Sequence, residues 1–204
     1  MAKRAFDLLA ASLGLVVLAP LFALLAIAIR ATSPGPVFFR QERVGLNGRP
    51  FRIIKFRTMR QDAEAVGGQL TVAGDVRVTR VGAALRRWKV DELPQLINVV
   101  LGEMSLVGPR PEVPRYVTHY DERQRRVLSV RPGITDPASI AFRDESDVLG
   151  RAADPEATYL HEVMPRKLEM NLAYLEQRGF ASDLIVILAT LLRLVRWPQR
   201  EVIE

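Results

Sequence analysis

From Leu8 to Ile29 the chain carries no charged side chain, and basic residues stand at both ends of the stretch. Lys3 and Arg4 precede it; Arg30, Arg40 and Arg43 follow. An apolar run of about 20 residues is long enough to cross a bilayer as a helix. Lys and Arg concentrate on the cytoplasmic side of a membrane, so two basic flanks predict that both ends face the cytoplasm. Pro20 lies near the middle of the run, and proline removes a backbone donor and bends a helix. Together these facts predict a re-entrant helix, broken at Pro20, that leaves the membrane on the side it entered. An ordinary spanning anchor is the main rival, because membrane helices tolerate proline. A secretory signal peptide also begins basic and then apolar. This run is long for that role, and a chain with no cysteine shows no sign of an oxidising compartment. A fully buried soluble helix is disfavoured, since a 204-residue chain has little core in which to enclose it.

The remaining length suits one compact domain. The formal net charge is +6 and the isoelectric point near 10.1. Such a balance suits an anionic membrane surface, phosphorylated substrates or nucleic acid. Nucleic acid is poorly supported: no binding motif is present, and aromatics make up only 7% of the chain, too few for base-stacking platforms.

Thr32-Ser33-Pro34-Gly35-Pro36 ends the apolar segment with a cluster of breakers. Short strands are predicted at Val37 to Phe39 and Phe51 to Phe56, joined through Gly45, Asn47 and Gly48. Residues 61 to 76 read as a polar loop. Val81 to Trp88 has helical spacing. Glu92 to Leu101 has it more clearly, with Leu93, Leu96, Ile97 and Val100 on one face and Gly102 as the stop. Pro155 to Gln177 is predicted helical with an interruption near Pro165. Asp183 to Trp197 is too short to span a bilayer. It reads either as an interfacial amphipathic helix or as one packed on the domain.

The residues suited to chemistry gather around Asp91-Glu92-Leu93-Pro94. Asp91 is placed to cap the helix whose first turn holds Glu92 and Pro94. An ionised aspartate there can attack phosphorus or hold a hard divalent cation. Capping alone explains the pattern equally well. What shifts the balance is a set of cations in short motifs of rigid or small residues. These are Lys55-Phe56-Arg57-Thr58-Met59, Gly108-Pro109-Arg110-Pro111 and Arg131-Pro132-Gly133-Ile134-Thr135, with Arg86 nearby in sequence. Arginine grips phosphate with two parallel donors. Several such motifs beside a carboxylate pair point to phosphate transfer. His119 and His161 are isolated and read as structural or surface residues.

With these blocks in their order, the chain closely resembles the bacterial sugar transferases that are monotopic polyprenol-phosphate phosphoglycosyl transferases, in their minimal catalytic form. The resemblance also takes in Gly35-Pro36-Val37-Phe38-Phe39, Gln95-Leu96 after the carboxylates, and Met104-Ser105-Leu106-Val107 before Gly108. It implies transfer of a phospho-sugar from a UDP-sugar to undecaprenyl phosphate, with release of UMP, as the first membrane step of bacterial glycoconjugate assembly. Asp91 would be the nucleophile that forms a covalent phospho-sugar intermediate, with Glu92 assisting. Mg²⁺ would be bound by Asp91 and Glu92. Arg110 is the foremost phosphate ligand, and Lys55, Arg57, Arg86 and Arg131 are further candidates. The chain departs from its relatives at Ala19, where they often have serine, and at Asp136-Pro137, where many have glycine after Thr135.

The expected fold is α+β and mostly α. Residues 1–33 form the membrane helix, and residues 34–204 form one catalytic domain with a C-terminal interfacial helix. The expected location is the cytoplasmic face of the bacterial inner membrane, against its lipid, and a homodimer is compatible with this. A noncatalytic basic scaffold docked on anionic lipid is the alternative from another class.

Overall fold

The structure is a computed structural model that describes residues 2–63 and 70–196. Trp197 and part of the loop at 61 to 76 lie outside the described residues. Helix α1, Ala2–Thr32, is the one helix among the described residues long and apolar enough to cross a membrane. It continues through Pro20 as a single helix, so the expected break at that residue is not seen.

At about 1.5 Å per residue, α1 is about 45 Å long, and both of its ends are tied to the same domain. Near its start, Lys3 Nζ donates to Val107 O (3.1 Å) and pairs with Asp183, while Arg4 donates to Val99 O (2.7 Å). Asp7 accepts from Ser105 Oγ (2.8 Å) and from Leu106 N (3.2 Å). Near its end, Ile29 packs with Phe56 and Leu85. Phe22 meets the Phe56 ring edge-on at 5.1 Å, and Phe38 stacks on Phe56 at 5.4 Å. Burying a side chain such as Phe56 stabilises by about 1.5–3 kcal/mol. Between these anchor points Leu9, Leu13, Val16, Val17, Leu24 and Ile27 stay largely exposed.

Strands β1, Phe38–Val44, and β2, Pro50–Phe56, form an antiparallel hairpin in register from Phe38 opposite Phe56 to Val44 opposite Pro50. β1 is longer than predicted because its alternating Arg40 and Glu42 face outward, leaving no apolar run to mark it. The turn contains Asn47 at φ 55°, a left-handed conformation that asparagine tolerates. Helix α2, Arg80–Arg87, starts at Thr79, whose hydroxyl accepts from Gly82 N (2.9 Å). Helix α3, Gln95–Leu101, ends at Gly102 with φ 88°, the expected stop.

A second pairing brings two distant motifs together. Strands β3, Ser105–Val107, and β4, Gly133–Thr135, run parallel, with Ser105 opposite Gly133 and Val107 opposite Thr135. A Cβ on Gly133 would overlap the backbone of Gly108, and one on Gly108 would overlap that of Arg131. The glycines of these two motifs are therefore required by close backbone approach.

Short helices follow: α4 (Pro114–Val117), α5 (Pro137–Ala141), α6 (Glu145–Arg151) and α7 (Pro155–Thr158). Asp136, fully buried, caps α5 by accepting from Ser139 N (3.0 Å), which gives that departure from the relatives a structural role. A π-helical turn at Tyr159–Val163 leads into α8, Met164–Gln177. The interruption predicted near Pro165 is this turn, because a proline without an N–H disturbs the ladder just before it. Helix α9, Phe180–Arg196, closes the described chain. Its Leu184, Ile185, Leu188 and Leu192 are exposed, while Val186 is buried against Val107 and Tyr174. The main core lies under α8, where Val113, Tyr116, Val127, Leu149, Met164 and Leu172 pack together. The fold is mostly helical α+β, as the sequence implied.

Candidate active site

The carboxylate pair stands where α2 hands over to α3. After Arg87 the chain passes Trp88 and reaches Lys89, a non-glycine residue in the left-handed region at φ 56°. That conformation costs on the order of 1–3 kcal/mol and persists only where surrounding structure imposes it. It directs the chain into a tight 3₁₀ turn, Val90–Glu92, which buries both Asp91 (7% exposed) and Glu92 (9%). The expectation that Asp91 caps the following helix is corrected: α3 begins at Gln95, with Pro94 as its cap and no side-chain cap bond. The tight turn occupies the residues where the predicted first helical turn would lie. The positive field on Asp91 therefore comes from side chains, not from a helix end.

Glu92 is held by two cations from two other elements. Arg110 donates Nη1 to Oε2 (2.9 Å) and Nη2 to Oε1, and Lys55 of β2 donates to Oε1 (3.0 Å). Burial alone would raise the Glu92 pKa, but Arg110 and Lys55 hold it well below the usual carboxylate range. Arg110 is in turn raised above its ordinary value, chiefly by Glu92. Burial pushes Lys55 down to about 8, although Glu92 pulls the other way.

Asp91 stands in the opposite situation. Its Oδ1 is buried and has no hydrogen-bond partner among the described residues. Burial, and then the negative charge of Glu92, push its pKa up, while Lys55, Lys89 and Arg86 moderate the shift. One carboxylate is thus fixed as a counter-ion and its neighbour is left available, the kind of divergence that separates roles within a pair.

Asp91 and Glu92 line a cleft of about 1500 Å³, together with Lys55, Arg57 and Arg86. Arg86 is steadied by donating Nε to Thr58 Oγ1 (2.8 Å). Arg57 is engaged elsewhere: it donates to Pro34 O, Ser33 O (2.8 Å) and Ser33 Oγ (2.9 Å), clamping the chain as it leaves α1. The structure does not bring Arg131 to this cleft. Arg131 donates to Gly102 O (2.9 Å) and lines a separate cavity with Lys3, Arg4 and Asp183. His119 and His161 are exposed. Among the described residues no group of three or more His, Asp or Glu stands together as a metal site. The available Asp91 Oδ1 nevertheless fits Mg²⁺, which is commonly held by one or two carboxylates plus substrate phosphates.

Behind Arg110 lies a second chamber of about 480 Å³ that shares Arg43, Lys89 and Glu92 with the cleft. Its wall contains residues that the sequence did not mark as part of a site. Arg43 donates to Pro111 O (3.2 Å) and Glu112 (3.3 Å), and Tyr159 donates to Glu112 from the π-helical turn. The only sequence signal for this network was Glu112, placed directly after Gly108-Pro109-Arg110-Pro111.

Residues 1–197 match the sequence family described as bacterial sugar transferase. The UDP-N-acetylgalactosamine-undecaprenyl-phosphate N-acetylgalactosaminephosphotransferase of Aeromonas hydrophila is 40% identical over 194 residues, covering 93% of this chain and 42% of that protein. The UDP-glucose:undecaprenyl-phosphate glucose-1-phosphate transferase of Escherichia coli is 37% identical over 94% of this chain and 39% of its own length. The exopolysaccharide production protein ExoY of Rhizobium meliloti is 34% identical over 94% of this chain and 84% of its own length. The chain therefore spans about two fifths of the first two relatives and most of the third. With a family match over almost its whole length, the chain belongs to the bacterial sugar transferase family.

Proposed function

We propose that this protein is a phosphoglycosyl transferase that moves a sugar-1-phosphate from a UDP-sugar to undecaprenyl phosphate, as an early step of bacterial polysaccharide assembly. The observation that carries this reading is the unequal treatment of two adjacent carboxylates. Glu92 is neutralised by Arg110 and Lys55, whereas Asp91 Oδ1 has no partner among the described residues and stands beside a large basic cleft. Homology adds the substrates: two relatives are named for undecaprenyl phosphate and for UDP-N-acetylgalactosamine or UDP-glucose.

In the first step an Asp91 carboxylate oxygen attacks the phosphorus that bears the sugar. A bond forms between Asp91 and phosphorus, the bridging P–O bond breaks, and UMP leaves with its electron pair. In the second step an oxygen of undecaprenyl phosphate attacks the same phosphorus, freeing Asp91 and giving undecaprenyl diphosphate-sugar. Arg86 and Lys55 are placed to balance charge on the diphosphate, and Arg110 acts chiefly through Glu92. Mg²⁺, held by Asp91 with Glu92 behind it, would neutralise charge on the transferring phosphates. A covalent intermediate lets a soluble donor and a lipid acceptor use the site in turn.

The acceptor places the site at a membrane. We read α1 as re-entrant, with both flanks and the domain on the cytoplasmic face of the inner membrane. Supporting this, Lys3 and Asp7 at one end and Ile29 at the other contact one and the same domain. A helix crossing the bilayer would carry one end about 30 Å away from it. The exposed apolar side chains of α1 and α9 then face lipid. The reading is tested by incubating protein, a UDP-sugar and Mg²⁺ with and without undecaprenyl phosphate. Lipid-dependent turnover with equal UMP and lipid-diphosphate-sugar supports it, and absence of UMP release from every UDP-sugar overturns it.

A further inference from the structure

Asn171 on α8 is 5% exposed, its Oδ1 has no hydrogen-bond partner among the described residues, and it lines the 480 Å³ chamber behind Arg110. A buried amide oxygen without a partner is costly, and native chains leave few of them. Three other polar pairs of that wall are satisfied. Lys167 pairs with Glu145 (2.6 Å), Tyr159 with Glu112, and Thr135 with Thr190 of α9 (2.7 Å). Asn171 Oδ1 and Arg43 Nε are the two buried side-chain polar atoms of that wall without a partner among the described residues, and Asn171 Oδ1 is the acceptor of the two. Between these polar groups the wall is apolar, with Leu106, Ile134 and Ile140. A mostly apolar enclosure with a few oriented polar groups, in the size range of about 300–1000 Å³, is typical of a site for a small polar molecule.

We propose that this chamber receives the sugar ring of the donor and that Asn171 is a specificity-determining residue that hydrogen-bonds a ring substituent. The inference rests on the transferase reading above. The chamber and the cleft share Glu92 and Lys89, so a ring bonded to phosphorus beside Asp91 reaches it without leaving the site. The larger and more basic cleft is left for the nucleotide and diphosphate. A polyprenyl tail is a poorer occupant, because isoprene units offer Asn171 nothing to bond. A site that hydrogen-bonds a substrate group rejects analogues that lack it or point it elsewhere.

The test uses the full-length protein in detergent or vesicles. Wild type and Asn171→Leu are compared for KM and kcat with UDP-glucose, UDP-galactose, UDP-N-acetylglucosamine and UDP-N-acetylgalactosamine. Inhibition by UMP and the KM for undecaprenyl phosphate are measured in parallel. The expected result is a fall of roughly tenfold or more in kcat/KM for the preferred donor, with a flattened preference among the four. UMP inhibition and the acceptor KM stay as in wild type, showing that the nucleotide cleft is intact. If Asn171→Leu loses UMP inhibition through misfolding, Asn171→Ala is read by the same criteria. Unchanged donor preference and efficiency overturn the proposal, as does a rise in the acceptor KM alone, which would give the chamber to the lipid. Failure of the transferase reading looks different, since wild type then releases no UMP from any of the four.

Discussion

Arg110 holds both carboxylate oxygens of Glu92 while Asp91, one residue earlier, keeps Oδ1 without a partner among the described residues. Adjacent residues seldom serve one site, because regular elements point them in different directions. The 3₁₀ turn that follows left-handed Lys89 supplies the exception here. It places one acid against the cations of β2 and of the Gly108 to Pro111 segment, and leaves the other to the cleft.

Replacing Arg110 by Lys is expected to be far from conservative. The charge remains, but one ammonium cannot make the two parallel bonds that orient Glu92. We expect kcat/KM to fall roughly tenfold to a thousandfold, using about 1.4–4 kcal/mol for a lost charge-assisted contact. Steady-state kinetics together with a thermal melt check this. Wild-type kinetics in Arg110→Lys would reduce the fork to a structural turn contact.

The Lys55 ammonium, with its pKa pushed down to about 8 by burial, is expected to make donor binding pH-dependent. Below that value Lys55 is cationic and attracts phosphate; above it the charge is lost and the cleft becomes less positive. Inhibition by UMP should therefore weaken as pH rises from about 7 to 9. Lys55→Arg, which stays charged throughout, should remove most of that dependence. A wild-type inhibition constant that is flat across the range would contradict the assignment. On the acid side, the upward shift of Asp91 predicts that turnover is lost at a higher pH than an ordinary aspartate would give, since the protonated acid is no nucleophile.

Both flanks of α1 are expected on one side of the membrane. The chain has no cysteine, so Ala2→Cys and Ser33→Cys each introduce a single reporter. A membrane-impermeant thiol reagent on intact cells should label neither, and should label both after permeabilisation. Labelling of Ala2→Cys alone in intact cells would establish a spanning helix while leaving the site chemistry untouched.

Much of this architecture was legible in the sequence, and where it was not the cause is tertiary. Charge-free residues from Leu8 to Ile29 announce α1 unaided, and Gly102 marks the end of α3 because its left-handed φ suits glycine. The start of α3 was misplaced because apolar spacing continues back through Leu93, while the turn at Lys89 has no periodic signature. Arg57 looked like a phosphate ligand by residue type; only the folded path of the chain shows it clamping Ser33 and Pro34. Arg131 and Arg110 sit in similar Pro-flanked motifs, yet the parallel pairing of β3 with β4 sends them to different cavities. Asn171, Arg43 and Tyr159 carried no local signal of a place in the site, since that comes from neighbours over ten residues away in sequence.

The central claim, that Asp91 is the nucleophile, is tested most directly by trapping the intermediate. Wild type and Asp91→Asn are incubated with Mg²⁺ and a UDP-sugar labelled in the sugar, without undecaprenyl phosphate, then quenched, digested and analysed by mass spectrometry. The amide removes the nucleophilic carboxylate and little else, so the fold and membrane binding should survive. The account predicts label on the wild-type peptide containing Asp91, UMP released in equal amount, discharge of the label when undecaprenyl phosphate is added, and neither label nor turnover in Asp91→Asn. Near-normal turnover by Asp91→Asn, or label carried by a peptide that lacks residue 91, would contradict it.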